Sequence, residues 1–356
     1  MNHRELAALF LALAWLLTPW TSRAQEPEVP KATTASIFFA TNRAQMEVAD
    51  SELVRFGGEQ GSPSFGICEA EFKPIPILDD VAPKVPFYVP SETTTMRIDA
   101  QEDPEVHWER LSEAVDGTSN GGIVVFVHGY SYDLERGCRR AVEIQRALEG
   151  EATVLLLSWP SNGDPTDYAA DVEDLVSSVP FLVQTLQQLS DRFGPENVHV
   201  LSHSLGARGM LLTLDELEAR SAAQPVVNRW VLLAPDIDSQ TFLENLPRLE
   251  PMAESITLYA SSNDTPLKVS RRLNGAPRLG EAGEFLTVAP GMETIDVSPA
   301  GRYQILGHEY FFFHPTVAAD LALLLSTGKS AAERPGLRSE TLNDLTYWEV
   351  SEEDER

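Results

Sequence analysis

Ser202-His203-Ser204-Leu205-Gly206 is the segment of this chain whose residue types and spacing most directly imply chemistry. The apolar run Asn197 to Leu201 leads into it, and a helical pattern through Met210, Leu211, Leu214 and Leu217 leads out. A serine hydroxyl is a poor nucleophile at neutral pH unless a base takes its proton. A sharp strand-to-helix turn lifts such a hydroxyl out of a sheet and points a helix amino terminus at it, and the crowded turn demands small neighbours. Gly206 meets that demand, while Ser202 stands where a glycine is usual. A serine at a helix start also serves as a plain cap. The strand before it and the helix after it favour Ser204 as a nucleophile.

A base and an acid are expected to follow in the order Ser, Asp, His. Of the histidines, His3 falls in the first residues, His107 precedes the parallel strands, His199 sits within a strand, His203 is fixed beside the serine and His314 precedes Pro315 as a helix cap. His308, in Gly307-His308-Glu309 after the last strand, remains as the base. Asp236, Asp238 and Asp264 all lie at carboxyl ends of strands, where catalytic groups of open parallel sheets collect. Asp264 is preferred as the acid, because the strand before it is expected beside the one that delivers His308. Asp236 and Asp238 have another use, capping the helix that begins near Ser239. Upstream, Phe126-Val127-His128-Gly129-Tyr130 ends an apolar strand in a glycine turn. The loop after such a strand supplies one backbone N–H of an oxyanion hole, so the donors are expected to be Tyr130 and Leu205. Trp159, Tyr130 and Tyr132 follow strand ends on this side and are expected to line the substrate cleft.

Strands must alternate with helices to position these groups. The strand segments are Ile123–Val127, Thr153–Ser158, Asn197–Leu201, Arg229–Leu233, Ile256–Ala260 and Thr294–Val297. Their unbroken apolar runs suit strands buried on both faces. Helices are expected over about 133–149, through Val172 to Leu189 with a kink or break at Pro180, and from Pro315 to near Gly328. Alternation of this kind predicts an α/β, mostly parallel sheet with helices on both faces. Only the sixteen residues between Asp238 and Ser255 separate the two later strands, too few for a large cap domain. Short, soluble acyl esters are therefore the expected substrates, with Asn42 and Arg43 shading the cleft.

The chain divides into residues 1–24, a signal peptide; 25–104, an irregular N-terminal extension packed on the core, with strands at Ser36–Ala40 and Val85–Val89; 105–330, the catalytic domain; and 331–356, an acidic, mobile tail. The apolar run Leu6–Leu17 is short for a bilayer span, and Ser22-Arg23-Ala24 offers a cleavage site. The expected location is the periplasm or the exterior, with an uncleaved N-terminal anchor as the alternative. The 356 residues carry 54 acidic against 27 basic side chains, a net charge of −27. So negative a surface repels phosphate backbones, which argues against nucleic acid as a partner. No transmembrane span is expected in the mature chain. Of the two cysteines, Cys138 shares a helical face with Leu134, Ala141 and Val142, which favours a buried thiol over a bridge to Cys68. No metal or other cofactor is implied.

The matching segments Phe39-Ala40-Thr41-Asn42-Arg43, Phe126-Val127-His128-Gly129-Tyr130, Ser158-Trp159-Pro160-Ser161, His203-Ser204-Leu205-Gly206, Ala234-Pro235-Asp236-Ile237-Asp238 and Ser262-Asn263-Asp264 through Ser270 and Leu273 to Gly280 carry a resemblance. Over residues 35–328 the chain resembles a bacterial family of little-characterised, esterase/lipase-like α/β-hydrolases. The resemblance implies the α/β-hydrolase fold and a triad of Ser204, Asp264 and His308, and it implies no particular substrate. The expected activity is cleavage of a small-molecule carboxylic ester through an acyl-serine. The alternatives are amide or peptide cleavage by the same residues, or a catalytically silent envelope binding protein.

Overall fold

The computed structural model describes residues 33–46, 55–74, 92–101, 103–221, 224–301 and 306–351. The expected signal peptide, the candidate strand Val85–Val89 and the final residues from 352 lie outside these. Three strands come first: β1 (Thr33–Met46), β2 (Arg55–Pro74) and β3 (Glu92–Gln101). This corrects the expectation of an irregular extension. Residues 38–41 of β1 pair in parallel with 155–158, while β2 and β3 add antiparallel strands beyond it. The segment needs no core of its own because it extends the main sheet.

After α1 (Pro104–Asp116) the alternation is as expected: β4 (Gly122–Val127), α2 (Leu134–Ala147), β5 (Ala152–Ser158), α3 (Tyr168–Phe193), β6 (Val198–His203), α4 (Leu205–Ser221), β7 (Val227–Leu233), α5 (Ser239–Leu249), β8 (Ala253–Ala260), α6 (Thr265–Asn274) and β9 (Glu293–Asp296). The short α7 (Tyr310–Phe313), α8 (Pro315–Thr327), β10 (Leu337–Leu342) and β11 (Leu345–Val350) complete it. The eleven strands form one sheet in the order β10-β11-β9-β8-β7-β6-β4-β5-β1-β2-β3. Every pairing from β11 across to β1 is parallel.

Both faces of the sheet are buried. Along β4, Ile123, Val125 and Val127 pack in a core shared with α1, α3, α4 and α5, whereas Val124 and Phe126 pack in a second core with α2 and α8. Alternate side chains of one apolar run thus fill two cores, which is why the run shows no polar alternation. Pro180 does not break α3, which is continuous over 26 residues. Pro180 lies on the exposed face together with Val176, the residue whose carbonyl its missing N–H leaves without the helical partner. The buried stripe through Leu175, Val179, Leu182, Leu186 and Leu189 continues across it. Between Asp238 and Ser255 lies α5, whose Phe242, Leu246 and Leu249 are core residues, so this connection covers the sheet rather than a cleft.

Two further expectations are corrected. Residues 331–351 are not a mobile tail. Asn343 and Asp344, both at positive φ, form the two-residue turn of the β10–β11 hairpin, and β11 pairs with β9. Arg334, fully buried, fastens the segment by donating to Asp320 at 2.7 Å and to the Tyr259 hydroxyl at 2.9 Å. Nor is Cys138 a free thiol: it bonds to Cys68, with 6.0 Å between their α-carbons, joining β2 to α2. Helical periodicity correctly buries Cys138, but burial alone does not reveal that β2 lies on the same face. No helix among the described residues is long and apolar enough to cross a membrane.

Candidate active site

Ser204 sits between β6 and α4 with φ at +53°, a conformation that non-glycine residues adopt at a cost of about 1–3 kcal/mol. Backbone bonds hold it there. Its N–H donates to the Leu233 carbonyl at 3.0 Å, and its carbonyl accepts from Asp236 at 3.0 Å and Ala207 at 3.1 Å. The turn leaves no room for side chains on either side. A Cβ on Gly206 would lie 2.3 Å from the His128 carbonyl oxygen, and one on Gly129 would lie 2.9 Å from the Ser204 Cβ. Ser202 replaces the usual glycine and puts its hydroxyl to use, accepting from the Trp230 indole at 2.9 Å.

The sheet order places β8 between β7 and β9, so the loop after β8 faces the loop that carries His308. Across that space His308 Nε2 lies 2.9 Å from Ser204 Oγ, and His308 Nδ1 lies 2.7 Å from Asp264 Oδ2. Asp264 is fully buried, and its other oxygen accepts from the Leu267 N–H at 2.9 Å as the N-cap of α6. The carboxylate is therefore fixed by the helix it caps. Burial disfavours a charged His308, but the Asp264 charge and hydrogen bond outweigh it and raise the imidazole above its ordinary value. In this line Nδ1–H donates to Asp264, and Nε2 is free to accept the serine proton.

Asp236 and Asp238 do not reach the imidazole in hydrogen-bond range. Asp238 caps α5, accepting from Thr241 at 2.7 Å. Asp236 is no cap: it accepts from the Ser270 hydroxyl at 2.6 Å and the Tyr168 hydroxyl at 2.8 Å. His314 occupies the N-cap position of α8 without a side-chain capping bond.

The close approach of Gly129 to Ser204 brings the Tyr130 backbone beside the serine. Leu205 is the first residue of α4, where a helix has no internal partner for its N–H groups. Beneath this loop His128 is buried and stacked between Tyr132 and Trp159, with ring centroids 5.4 Å and 5.1 Å away. Its Nδ1–H donates to the Gly129 carbonyl at 2.9 Å, and its Nε2 accepts from the Ser158 hydroxyl at 2.9 Å. Burial and then the Arg43 charge depress its pKa to about 3, so it is a neutral support for the loop. Arg43 is fully buried and does not shade a cleft. It donates to Ser158 Oγ at 2.9 Å and to the Tyr132 carbonyl at 2.7 Å. Asn42 is buried too.

Trp159 and Tyr132 do not line a cleft either. Both are buried; the Trp159 indole donates to the His128 carbonyl at 2.9 Å, and the Tyr132 hydroxyl donates to Glu309. A strand-end position says which end of the sheet a residue occupies, not which way its side chain points. Tyr130 remains half-buried, edge-on to Tyr168 at 5.4 Å. Sequence reasoning passed over Tyr168 and Glu309. Glu309 could have been found from Arg136 and Arg140, four residues apart on one face of α2 and in need of a carboxylate.

Comparison with known proteins identifies the family. The family model described as "Alpha/beta hydrolase of unknown function (DUF900)" matches residues 104–326. The chain belongs to that family. Its mostly parallel sheet with helices on both faces is thus an α/β-hydrolase fold, as the resemblance implied. Among solved structures, the chain is similar to phospholipase PlaB from Legionella pneumophila, at 14% identity and a TM-score of 0.33, over 65% of this chain and 68% of that one. It is also similar to a sugar hydrolase, YeeB, from Lactococcus lactis, at 12% identity and a TM-score of 0.32, over 80% and 96%. No curated protein matches.

Proposed function

We propose that this α/β-hydrolase is a serine-dependent carboxylic ester hydrolase working through an acyl-serine intermediate. The observation that carries the proposal is the hydrogen-bonded line from Ser204 through His308 to the buried Asp264. Ser204 Oγ attacks the ester carbonyl carbon while His308 Nε2 takes the hydroxyl proton. Asp264 stabilises the imidazolium that forms. The N–H groups of Tyr130 and Leu205 face the oxyanion, where preorganised donors lower the barrier most. As the tetrahedral adduct collapses, the C–O bond to the alcohol breaks and His308 gives its proton to the leaving oxygen. A water, deprotonated by His308, then attacks the acyl carbon, and Ser204 leaves with the proton.

Tyr130 and Tyr168 take over the substrate-lining role from the buried Trp159 and Tyr132, since their half-exposed rings flank the Tyr130 backbone donor. The reading includes export. It rests on the apolar amino-terminal run and is supported by the Cys68–Cys138 disulfide, a bond that persists in oxidising compartments. Labelling with a fluorescent serine-directed phosphonate, followed by matched ester and amide panels, tests the activity. Labelling that Ser204→Ala abolishes, with turnover of short-chain esters over amides, is the expected result. An unlabelled wild-type protein means the fold is catalytically silent; faster amide turnover overturns the ester assignment.

A further inference from the structure

Glu309 directly follows His308, and three donors converge on its buried carboxylate. Arg136 reaches Oε1 at 3.0 Å, Arg140 reaches Oε2 at 2.7 Å, and the Tyr132 hydroxyl donates to Oε1. The same side chains hold the loop on the other side of the serine. Arg136 also donates to the Ser131 carbonyl at 3.1 Å, and its guanidinium lies 4.2 Å from the centre of the Tyr132 ring. Arg140 stacks 5.1 Å from the Phe312 ring, just past the histidine. Burial opposes the Glu309 charge, but Arg140 and Arg136 outweigh it and hold its pKa at about 2. It is therefore an anion at any working pH.

Glu309 is buried and Arg140 mostly so, whereas Arg136 reaches it from the surface. A buried carboxylate is costly to separate from its cations without making a fold more stable than apolar packing of the same volume would. What the cluster does supply here is fixed geometry between two loops that, among the described residues, no backbone hydrogen bond joins directly. From this juxtaposition we propose that Glu309 is a positioning residue for the reaction: through Arg136 and Tyr132 it locks the loop bearing His308 to the loop bearing the Tyr130 N–H. Base and oxyanion donor are then held as one unit on α2. The proposal rests on the triad reading above.

The test compares Glu309→Gln and Tyr132→Phe with Glu135→Gln, which alters an exposed pair with Arg139 on the same helix. Tyr132→Phe keeps the ring and its stacking and deletes one hydroxyl. Glu309→Gln is expected to lower kcat on a soluble ester by about tenfold or more, with KM nearly unchanged, as misplaced catalytic groups do. The double variant should lose less than the product of the single losses, because both break one unit. A readout independent of turnover is the NMR titration of His308 and its downfield Nδ1–H resonance. In Glu309→Gln the midpoint is expected to fall and the resonance to broaden, and Glu135→Gln should match the parent. An unaltered midpoint and resonance in folded Glu309→Gln, or fully multiplicative losses, overturn the proposal. Absence of phosphonate labelling in the parent instead overturns the catalytic reading, and the resonance still reports on the lock.

Discussion

Ser204, His308 and Asp264 make different demands, and each predicts a distinct defect. Asp264 accepts from His308 and is fixed by the helix it caps, whereas Asp236 serves Ser270 and Tyr168. Replacing Asp264 with Asn is therefore expected to lower turnover by about 10⁴-fold, as loss of the orienting acid does in serine proteases. Asp236→Asn should stay within about tenfold and act mainly on KM through Tyr168. Comparing kcat of the two folded variants checks this, and a crippled Asp236→Asn beside a near-normal Asp264→Asn reverses the assignment. In the proposed mechanism the pH dependence follows from His308, which must be neutral to accept the serine proton. The groups facing it are the carboxyl groups of Asp264, Glu309 and Asp236, each of which favours the charged imidazole, and His203, whose ring centroid is 4.8 Å away. Because its pKa is raised above 6.5, activity should fall as pH drops through a midpoint above 6.5. Asp264→Asn removes the attraction that raises it, so in that variant the midpoint should move down. An acid limb in kcat/KM centred at or below 6.5 in the parent contradicts the geometry. At this scale chain order and small neighbours are what the sequence offers, and the three residues they single out, Ser204, Asp264 and His308, do meet within hydrogen-bond reach. The sequence was misleading for Trp159 and Tyr132, where only packing decides whether an aromatic ring faces solvent or stacks on His128.

The central elements were legible because a strand buried on both faces cannot hide its composition. Val124 and Phe126 meet one core and Val125 and Val127 the other, so β4 reads as apolar throughout. The edges were harder. β1 to β3 and the β10–β11 hairpin carry mixed, half-exposed residues whose place depends on partners remote in sequence. The hairpin did carry a signal in Asn343-Asp344, a pair suited to positive φ, but the charge of the neighbouring segment masked it. Its anchor makes a prediction. Arg334 is buried between Asp320 and Tyr259, and removing it leaves the Asp320 carboxylate buried without its cation. Arg334→Leu is expected to destabilise the fold by about 3–5 kcal/mol. Arg338→Leu, in an exposed ion pair with Glu349, should cost less than about 1 kcal/mol. Urea unfolding of the two variants checks the contrast, and equal midpoints would show that the hairpin is held by its backbone pairing alone.

Across the whole molecule, two cores and one sheet must be kept in register over more than three hundred residues, and the Cys68–Cys138 bond is a covalent contribution to that register. It ties an antiparallel strand of the amino-terminal segment to α2, closing a span of 70 residues. In the chain-entropy account a loop of that length stabilises by about 4 kcal/mol, through restriction of the unfolded chain. Both cysteines are fully buried, so the native bond is shielded from mild reductant and should be lost only as the fold opens. Cys138 also lies between Arg136 and Arg140, the two cations that grip Glu309, so the bond anchors the helix that carries both. The expected result is that the paired Cys68→Ala and Cys138→Ala variant melts well below the parent, while the parent shows no titratable thiol until it is both denatured and reduced. Stability should fall in thermal and urea unfolding by a similar amount, whereas turnover at low temperature should change less, because α2 keeps its other packing against β5. Two thiols titrating in the denatured, unreduced parent, with equal melting of parent and variant, would remove the bond from the account of this fold.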